Sequence, residues 1–474
     1  MSTINNEFTA QSPSAIRHNN NDCHPRVILV IGSIGIDRLL SVPRFPKPGS
    51  KVRTTSYYEV GGGNAANSVA AMGKLSNVRI FRPKTTDCCC HRRHAICVKF
   101  LGKVGRDATG ERLISELRES HVDTSSPLFC RGPVGSTTSF CTILVDESEH
   151  TRTCLFTPGT AGHLTMEDGK DIWNTQESMD TIFDNVVHVH SDARLTEVSL
   201  ALAKEATKRG IPVSVDCEKD RNSHALDELL NMCEILFTNE SCLEAYIHRL
   251  TTEKEREYGR CELPKPTIKT DAAGSCPTMH ETTIDVLVKA VVTPNSYFAR
   301  WQIPMKKEVI VTQGSMGAIH LRPIRKTLEY IRDASTASLH NVIVIKQHDH
   351  DVSTPMVIIC HTFCDKSVRV EVEYEVRLVG VLRNVHIVDT TGAGDAFIGG
   401  YILSRVGIDQ YQGILEDEIQ FQLEFGTFVG GKKLEGPGAR TALPTCDVFD
   451  ATLGTELQVV ARNLKEQIGP FNAT

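Results

Sequence analysis

The chain has 474 residues, with 52 lysines and arginines against 58 aspartates and glutamates, which gives a formal net charge of −6. This mildly acidic balance lacks the basic stretch that binds a polyanion, so nucleic acid is not an expected partner. The longest apolar stretch, residues 27–36, is about half the length of the roughly 20 residues that a membrane-spanning helix needs, so no membrane association is expected.

The N-terminal segment and the spacing of the cysteines indicate the cellular compartment. Residues 1–25 are rich in asparagine and serine and lack the apolar segment of a secretory signal. The 16 cysteines have no regular spacing, which favours reduced thiols over a disulfide framework. We therefore expect a cytoplasmic protein whose first 25 residues form a disordered segment, and an organellar address is left open.

The first predicted element is a buried strand over residues 27–33, a β-branched run that ends near a glycine. Residues 51–60 predict a second strand, followed by a glycine turn and a helix over Asn64–Leu75. Residues 137–145 and 152–156 flank an acidic turn and predict a hairpin. Together with residues 51–60, this hairpin is expected to form a small separate sheet.

From about residue 185, strand-like and helix-like segments alternate with short joins that contain glycine. Such alternation predicts an α/β fold, in which a doubly wound and mostly parallel sheet carries helices on both faces. The predicted strands are at residues 186–190, 211–216, 234–238, 308–312 and 385–388, and the predicted helices are at 195–209, 224–233, 395–405 and 414–429.

Three stretches interrupt this pattern, at residues 76–97, 251–300 and 325–380. Long pieces between core elements are usually surface insertions. Without them, the chain has the length of one large α/β domain. We therefore predict a single domain over residues 26–447, followed by a C-terminal helix or tail over residues 448–474.

The most informative motif is Asp389-Thr-Thr-Gly-Ala-Gly-Asp395, where a predicted strand passes through a turn of small residues directly into a helix. The N–H groups of Gly392, Ala393 and Gly394 would then lie at the positive end of the helix dipole, which suits an anion such as a transferring phosphoryl group. Asp395 could take a proton from an attacking hydroxyl, or it could simply cap the helix. The motif alone is compatible with both roles.

Four further motifs, at residues 32–37, 61–73, 100–110 and 312–317, accompany this one in a fixed order. All five together resemble the ribokinase or PfkB family of carbohydrate kinases, and the resemblance runs from about residue 26 to residue 444 outside the insertions. Further details resemble an uncharacterised plant and microbial subgroup of PfkB-type sugar kinases, with ketohexokinase as a more distant relative; they lie at residues 45–55, 151–158, 192–194, 216–219 and 438–444.

The resemblance implies a ribokinase-like fold with a small β lid, about residues 40–60 and 134–157, that closes over the sugar. It implies transfer of the γ-phosphoryl of ATP to a hydroxyl of a ribose-, fructose- or ketose-like sugar, and so a phosphotransferase with an alcohol acceptor. Asp395 matches the general base, and the amides of residues 392–394 match the anion hole. The matching substrate positions are Asp37, Gly62, Gly63 and Asn67, and the matching ATP positions are Thr312, Gly314 and Gly317.

The family's magnesium motif is Asn-x-x-Glu after a strand, and here it corresponds to residues 239–242. Asn239 matches, but the fourth position is Cys242. Glu240 or Glu244 could act instead, directly or through water, because Mg2+ keeps several waters and needs few protein oxygens.

Asp389 and Thr391 match positions that hold a monovalent cation, usually K+, in several relatives. Structural capping of the turn explains these two residues equally well. The expected cofactors are therefore ATP and Mg2+, with K+ as a further candidate.

Three alternatives remain open from the sequence. The first is a nucleoside kinase of the adenosine type, which shares the family motifs. The second is a catalytically weak relative that acts as an interaction protein, suggested by Cys242 and the insertions. The third is a nucleic-acid-binding module that uses the basic residues 91–93. The expected partners are a small sugar and ATP, and a monomer or a homodimer is expected.

Overall fold

The structure is a computed structural model, and part of the chain is described. The N-terminal segment predicted over residues 1–25, apart from Pro25, and most of residues 251–300 lie outside the described part. The described residues are 25–82, 96–125, 129–149, 151–173, 175–245, 248–249, 267–270, 307–330, 342–346, 356–365, 368–408 and 413–471.

Strands and helices alternate along much of the described chain. The strands are β1 (Arg26–Ile31), β2 (Gly35–Val42), β3 (Ser56–Gly62), β4 (Ile96–Arg106), β5 (Val122–Asp123), β6 (Phe129–Val134), β7 (Phe140–Asp146), β8 (Thr151–Thr157), β9 (Val186–Ser191), β10 (Val213–Cys217), β11 (Ile235–Asn239), β12 (Thr267–Thr270), β13 (Glu308–Thr312), β14 (Ala318–Tyr330), β15 (Val342–Lys346), β16 (Met356–Asp365) and β17 (Val368–Val379). The helices are α1 (Asn64–Leu75), α2 (Ala108–Glu119), α3 (Lys170–Trp173), α4 (Gln176–Ile182), α5 (Thr196–Lys208), α6 (His224–Met232), α7 (Ala393–Ile408), α8 (Glu418–Lys433), α9 (Cys446–Leu453) and α10 (Leu457–Gln467). None of these described helices combines the length and the apolar character that a bilayer crossing requires.

The main sheet has the order β12-β15-β16-β17-β14-β13-β11-β10-β9-β1-β4-β5, and β6 also pairs with β4. From β13 to β5 the paired strands are parallel, whereas β14, β16 and β17 are antiparallel to their neighbours. Successive side chains of a strand point to opposite faces. Accordingly, Ile28 and Val30 of β1 belong to one buried apolar cluster, and Val27, Leu29 and Ile31 belong to another. The predicted α/β fold, a doubly wound and mostly parallel sheet, is confirmed.

A second, smaller sheet has four strands in the order β3-β2-β7-β8. The predicted hairpin is confirmed, because β7 and β8 pair antiparallel from Phe140 with Thr157 to Asp146 with Thr151. The strand predicted at residues 51–60 is found slightly later, as β3. The sheet also contains a strand that the sequence did not predict, β2, which begins before the expected start of the lid near residue 40. The predicted small separate sheet is therefore present, with β2 as an additional strand between β3 and β7.

The strand predicted at residues 385–388 is wrong. These residues form an irregular segment before α7, and Ile387 and Val388 are 62% and 50% exposed. The position beside β13 is taken by the antiparallel strand β14. Residues 385–388 therefore do not pair with the parallel part of the sheet, although they are rich in β-branched residues.

Two predicted insertions reach into the core at their ends. Phe81, within the stretch predicted at residues 76–97, is fully buried, and Ile96 begins β4, which pairs with β1. Tyr374, within the stretch predicted at residues 325–380, is buried on β17, which pairs with β14. The inserted parts are therefore shorter than the sequence suggested, because apolar and β-forming residues at their ends belong to the core.

The C-terminal segment predicted as residues 448–474 is also packed on the core. Helix α9 begins at Cys446, so the predicted boundary at residue 447 falls inside a helix. Phe449 and Leu464 are fully buried and belong to the same apolar cluster as helix α7. The described C-terminal helices are thus part of the main domain.

A buried charged cluster joins the start of β13 to helix α7. The Glu308 carboxylate accepts hydrogen bonds from Tyr401 Oη at 3.1 Å and Arg405 Nη1 at 3.1 Å, and it lies 3.0 Å from His320 Nε2. Glu308→Ala removes the carboxylate shared by the half-buried Arg405 and the buried Tyr401 and His320, so we expect it to lower the free energy of unfolding by about 3–5 kcal/mol. Urea denaturation measures the change. Glu197→Ala, at an exposed position of α5, is the control and should cost less than about 0.5 kcal/mol. Equal losses in the two variants would contradict this expectation.

Candidate active site

A cavity of about 630 Å³ lies where the small sheet faces the main sheet. Its wall includes residues at the carboxyl ends of β1, β10, β11 and β13 and the beginnings of α1 and α7. Ligands of open α/β sheets bind at the carboxyl ends of parallel strands. The position of the cavity is therefore the one that the fold favours for a substrate.

The cavity brings together many, but not all, of the predicted site residues. Gly314 lies in a short 3-10 helix, Gly314–Met316, that begins two residues after β13. The predicted residues that line the cavity are Asp37, Gly63, Asn67, Asn239, Thr312, Thr391, Gly392, Ala393, Gly394 and Asp395. Those that do not line it are Gly62, Glu240, Gly314, Gly317 and Asp389.

Asp395 lies in the first turn of α7 and is half-buried. Its Oδ2 accepts a hydrogen bond from Asn67 Nδ2 at 2.8 Å. Burial raises the pKa of Asp395 to about 7, and the nearby carboxylates of Glu218 and Asp192 act in the same direction against the Asn67 hydrogen bond. A carboxylate whose pKa lies near neutral pH is suited to take a proton from a hydroxyl.

The helix-cap interpretation of Asp395 has less support from its contacts. A capping carboxylate accepts hydrogen bonds from backbone amides of the first turn. Within the described part of the chain, the Asp395 carboxylate accepts its hydrogen bond from a side chain of another helix, α1. The residue is therefore oriented by the cavity wall rather than by its own helix.

The turn before α7 offers backbone amides to the cavity. Gly392 has a φ of 75°, a conformation that L side chains rarely adopt. The Ala393 amide donates to the Thr390 carbonyl at 3.3 Å, so one of the three predicted amides is engaged. Among the described residues, no partner is found for the amides of Gly392 and Gly394. Two open amides at a helix N-terminus remain suited to an anion.

Asp389 stabilises the same turn through hydrogen bonds to its backbone and to the segment after α8. Its Oδ1 accepts hydrogen bonds from the amide and the hydroxyl of Thr391, both at 2.8 Å, and its Oδ2 accepts one from the Gly438 amide at 2.7 Å. Burial opposes ionisation, but these hydrogen bonds outweigh it and lower the pKa of Asp389. The Lys433 ammonium, which the sequence did not single out, donates to the Asp389 carbonyl at 2.6 Å, and burial lowers its pKa to about 8. These contacts match the turn-capping interpretation of Asp389 and Thr391.

Asp37 lies on β2 at the other side of the cavity. Burial raises its pKa to about 6, although Arg440 and Arg194 act in the opposite direction. A Cβ atom on Gly62 would lie 2.3 Å from the Asp37 carboxylate, so the close approach of β3 to β2 requires glycine there. The glycine run therefore makes room for Asp37, even though Gly62 does not line the cavity itself.

Cationic side chains of the cavity wall were missed as individual site residues, and two of them, Arg152 and Arg194, contact groups at the site. Arg152, on β8 of the small sheet, donates from Nη1 to Thr391 Oγ1 at 2.8 Å. Arg194, which follows β9, is paired with Glu218, and Glu218 Oε2 also accepts from Asn64 Nδ2 at 2.8 Å. Both arginines lie in segments that carried the subgroup resemblance, and this was the available signal.

In the region of the expected magnesium motif, the Asn239 side chain forms hydrogen bonds with nearby backbone groups. Asn239 Oδ1 accepts from the Cys242 amide at 2.8 Å, and Asn239 Nδ2 donates to the Glu218 carbonyl at 3.2 Å. The Cys242 side chain is buried, with its Sγ 3.5 Å from Cys217 Sγ, and it does not line the cavity. The carboxylates of this region that line the cavity are those of Asp216 and Glu218.

A family model described as pfkB family carbohydrate kinase matches residues 26–270, which is more than half of the 474-residue chain. The chain belongs to the pfkB family of carbohydrate kinases. This confirms the family that the five motifs resemble. Members of this family are phosphotransferases with an alcohol group as acceptor, as the sequence predicted, whereas the proposed subgroup stays a prediction.

Known proteins support the pfkB assignment at low identity. An ATP-dependent ribose-1-phosphate kinase of Halopiger xanaduensis is 24% identical over 49% of the chain and 66% of its own length. A ribokinase of Lactococcus lactis is 24% identical over 49% of the chain and 67% of its own length. The sequence matches thus span about two thirds of these relatives. A ribokinase structure from Arabidopsis thaliana, 18% identical, aligns with a TM-score of 0.54 over 93% of the chain and 99% of its own, which confirms the ribokinase-like fold.

Proposed function

We propose that the chain is an ATP-dependent sugar kinase that phosphorylates a hydroxyl of a small ribose-, fructose- or ketose-like carbohydrate. The observation that carries the proposal is the position of Asp395, whose pKa is raised to about 7, in one cavity with Asp37 and Asn67. Two relatives are named as ribose or ribose phosphate kinases, and the Arabidopsis thaliana structure is described as complexed with ribose and ATP. These names support a sugar as the acceptor.

In the proposed mechanism, Asp37 and Asn67 hold the hydroxyl groups of the acceptor, since carboxylate and amide groups accept and donate several hydrogen bonds at fixed geometry. Asp395 takes the proton of the attacking hydroxyl, and the oxygen attacks the γ-phosphorus in line. The amides of Gly392 and Gly394 stabilise the charge that develops on the transferring group. Preorganised donors of this kind need no rearrangement during the reaction.

The nucleotide is proposed to lie on the side of Thr312, with its γ-phosphate toward the turn before α7. Gly314 and Gly317 belong to the adjoining turn. When bound, Mg2+ would neutralise charge on the β- and γ-phosphates. Asn239 and Glu218 offer oxygen donors in that wall, whereas Glu240 lies outside it. Two such oxygen ligands would suit Mg2+ that is retained largely through water.

A monovalent cation is not needed to explain Asp389 and Thr391. Both carboxylate oxygens of Asp389 accept hydrogen bonds, and the Lys433 ammonium already contacts its carbonyl. A role for K+ at this turn is therefore supported by the family resemblance alone.

A substrate panel scored by ADP release tests the proposed function. Ribose, fructose, ribulose and ribose 1-phosphate represent sugars, and adenosine represents the nucleoside alternative. We expect kcat/KM for the preferred sugar to exceed that for adenosine by at least about 100-fold, because a site that hydrogen-bonds its substrate rejects a compound that leaves its polar groups unpaired. Asp395→Asn is the matched control for ADP release that does not depend on phosphoryl transfer.

The other outcomes identify the alternatives. Faster turnover of adenosine than of every sugar would replace the proposal with a nucleoside kinase. ADP release that stays at the level of the Asp395→Asn control with every compound would favour the interaction protein.

A further inference from the structure

Arg440 lies in the segment between α8 and α9 and is 7% exposed. Its Nε donates to Asn67 Oδ1 at 2.9 Å, and its Nη2 donates to the Gly62 carbonyl at 2.6 Å. Both acceptors are among the predicted substrate positions, and Arg440 itself does not line the cavity. An arginine near the C-terminal end of the domain therefore supports two acceptor-binding elements from behind.

The hydrogen bond from Arg440 determines which way the Asn67 amide faces. An arginine side chain has donors and no acceptor, so it can bond only to the amide oxygen. With Oδ1 on Arg440, Nδ2 of Asn67 is directed at Asp395 Oδ2, 2.8 Å away. A rotated amide would place its NH2 group against the guanidinium and its oxygen against the carboxylate. Both contacts would then be repulsive.

We propose that Arg440 is a positioning residue for phosphoryl transfer, because it fixes the orientation of Asn67 and through it the hydrogen bond that holds Asp395. The inference rests on the proposed function, in which Asp395 is the general base. Arg440 touches neither substrate nor reacting atoms, so beyond its charge its effect on the orientation of Asp395 passes through Asn67.

Charge supports this arrangement. Burial lowers the pKa of Arg440 to about 10, which leaves the guanidinium protonated at neutral pH. Glu116 Oε2 lies 3.7 Å from Arg440 Nη1, on the side away from Asn67. Loss of Arg440 removes one positive charge and the fixed Asn67 donor from the surroundings of Asp395. The charged groups that act on Asp395 are Asp192, Arg194, Asp216, Glu218, Lys433 and Arg440.

Arg440→Met should lower kcat about 10- to 50-fold and raise KM for the acceptor, while KM for ATP stays unchanged, because a displaced contact near the reacting group has effects of this size. The lower pH limit of kcat should move upward, since Asp395 loses groups that favour its ionised form. Arg440→Lys keeps the charge but lacks the planar pair of donors. Compared with Arg440→Met, Arg440→Lys should bring the lower pH limit of kcat close to the wild-type value, while the plateau value of kcat stays reduced.

A double-mutant cycle separates positioning from a general structural role. If Arg440 acts through Asn67, Asn67→Ala combined with Arg440→Met should lose no more turnover than Asn67→Ala alone. Glu116→Gln leaves the contacts of Arg440 with Asn67 and Gly62 in place, and it should stay within about threefold of the wild-type kcat. Additive losses in the cycle, or equal losses in Glu116→Gln and Arg440→Met, would overturn the inference.

Failure of the inference and failure of the proposed function are distinguishable. Near-wild-type turnover of Asp395→Asn would end the role of Asp395 as base. The coupling between Arg440 and Asn67 can then still be measured as the equilibrium affinity for the preferred sugar of the panel. Unchanged sugar affinity and unchanged kcat in Arg440→Met would overturn the inference and leave the role of Asp395 intact. If Arg440→Met does not fold, as judged by thermal denaturation, Arg440→Lys enters the same cycle.

Discussion

Asp395→Asn should lower kcat by about two to four orders of magnitude, the usual scale for a lost general base. Asparagine has nearly the same shape, and its oxygen can still accept the hydrogen bond from Asn67 Nδ2. It cannot take up a proton from an attacking hydroxyl at neutral pH. Because the substitution also removes a half-buried charge that is raised in energy by Asp192 and Glu218, we expect no loss of fold or of nucleotide binding.

Steady-state ADP release with the preferred sugar measures this effect, and a nucleotide titration measures ATP binding. Asp180→Asn is the matched control, since Asp180 is paired with Arg209 at the surface and is absent from the cavity wall. The control should keep nearly full turnover. Turnover of Asp395→Asn within tenfold of the wild type would rule out the assignment of Asp395 as base.

The fold was predictable where local pattern and tertiary position agree. The run at β1 is apolar on both faces because helices cover both faces of a doubly wound sheet, and the alternation from residue 185 follows from the same architecture. The strand predicted at residues 385–388 failed because β-branched composition reports only a local preference. Which strand occupies the position beside β13 depends on β14, far away in the sequence.

The site was predictable in part from its motifs. Motifs placed Asp37, Asn67 and Asp395 correctly in one cavity, although Asn67 and Asp395 are 328 residues apart. They did not show that Arg440 supports Asn67, because a contact across 373 residues leaves no local pattern. Likewise, the family's magnesium motif drew attention to Cys242, whose side chain packs against Cys217 rather than facing the cavity. Motifs therefore located the groups that line the cavity better than the groups that hold them in place.

The pH dependence of kcat should follow the ionisation of Asp395. Its pKa is raised to about 7, chiefly by burial, and only the ionised form can accept a proton. Turnover should therefore be maximal above about pH 8 and fall about tenfold per pH unit below 7, so that kcat at pH 5 is about 100-fold below its plateau. Asp37, whose pKa is raised to about 6, should add a second limit that affects KM for the acceptor.

The free energy of unfolding should change with pH in the direction opposite to kcat. A carboxyl whose pKa is higher in the folded than in the unfolded state binds its proton more tightly when folded, so stability falls as pH rises from about 4 to 7. Asp395→Asn removes this dependence. The variant should therefore match the wild type in stability near pH 4 and exceed it near pH 8, as measured by urea denaturation at both values. A wild-type kcat that stays constant from pH 5 to 8, together with equal stability of the two proteins at pH 8, would show that Asp395 is already ionised at acidic pH. A carboxylate with such a low pKa would be a poor base, and the role of Asp395 would then be structural.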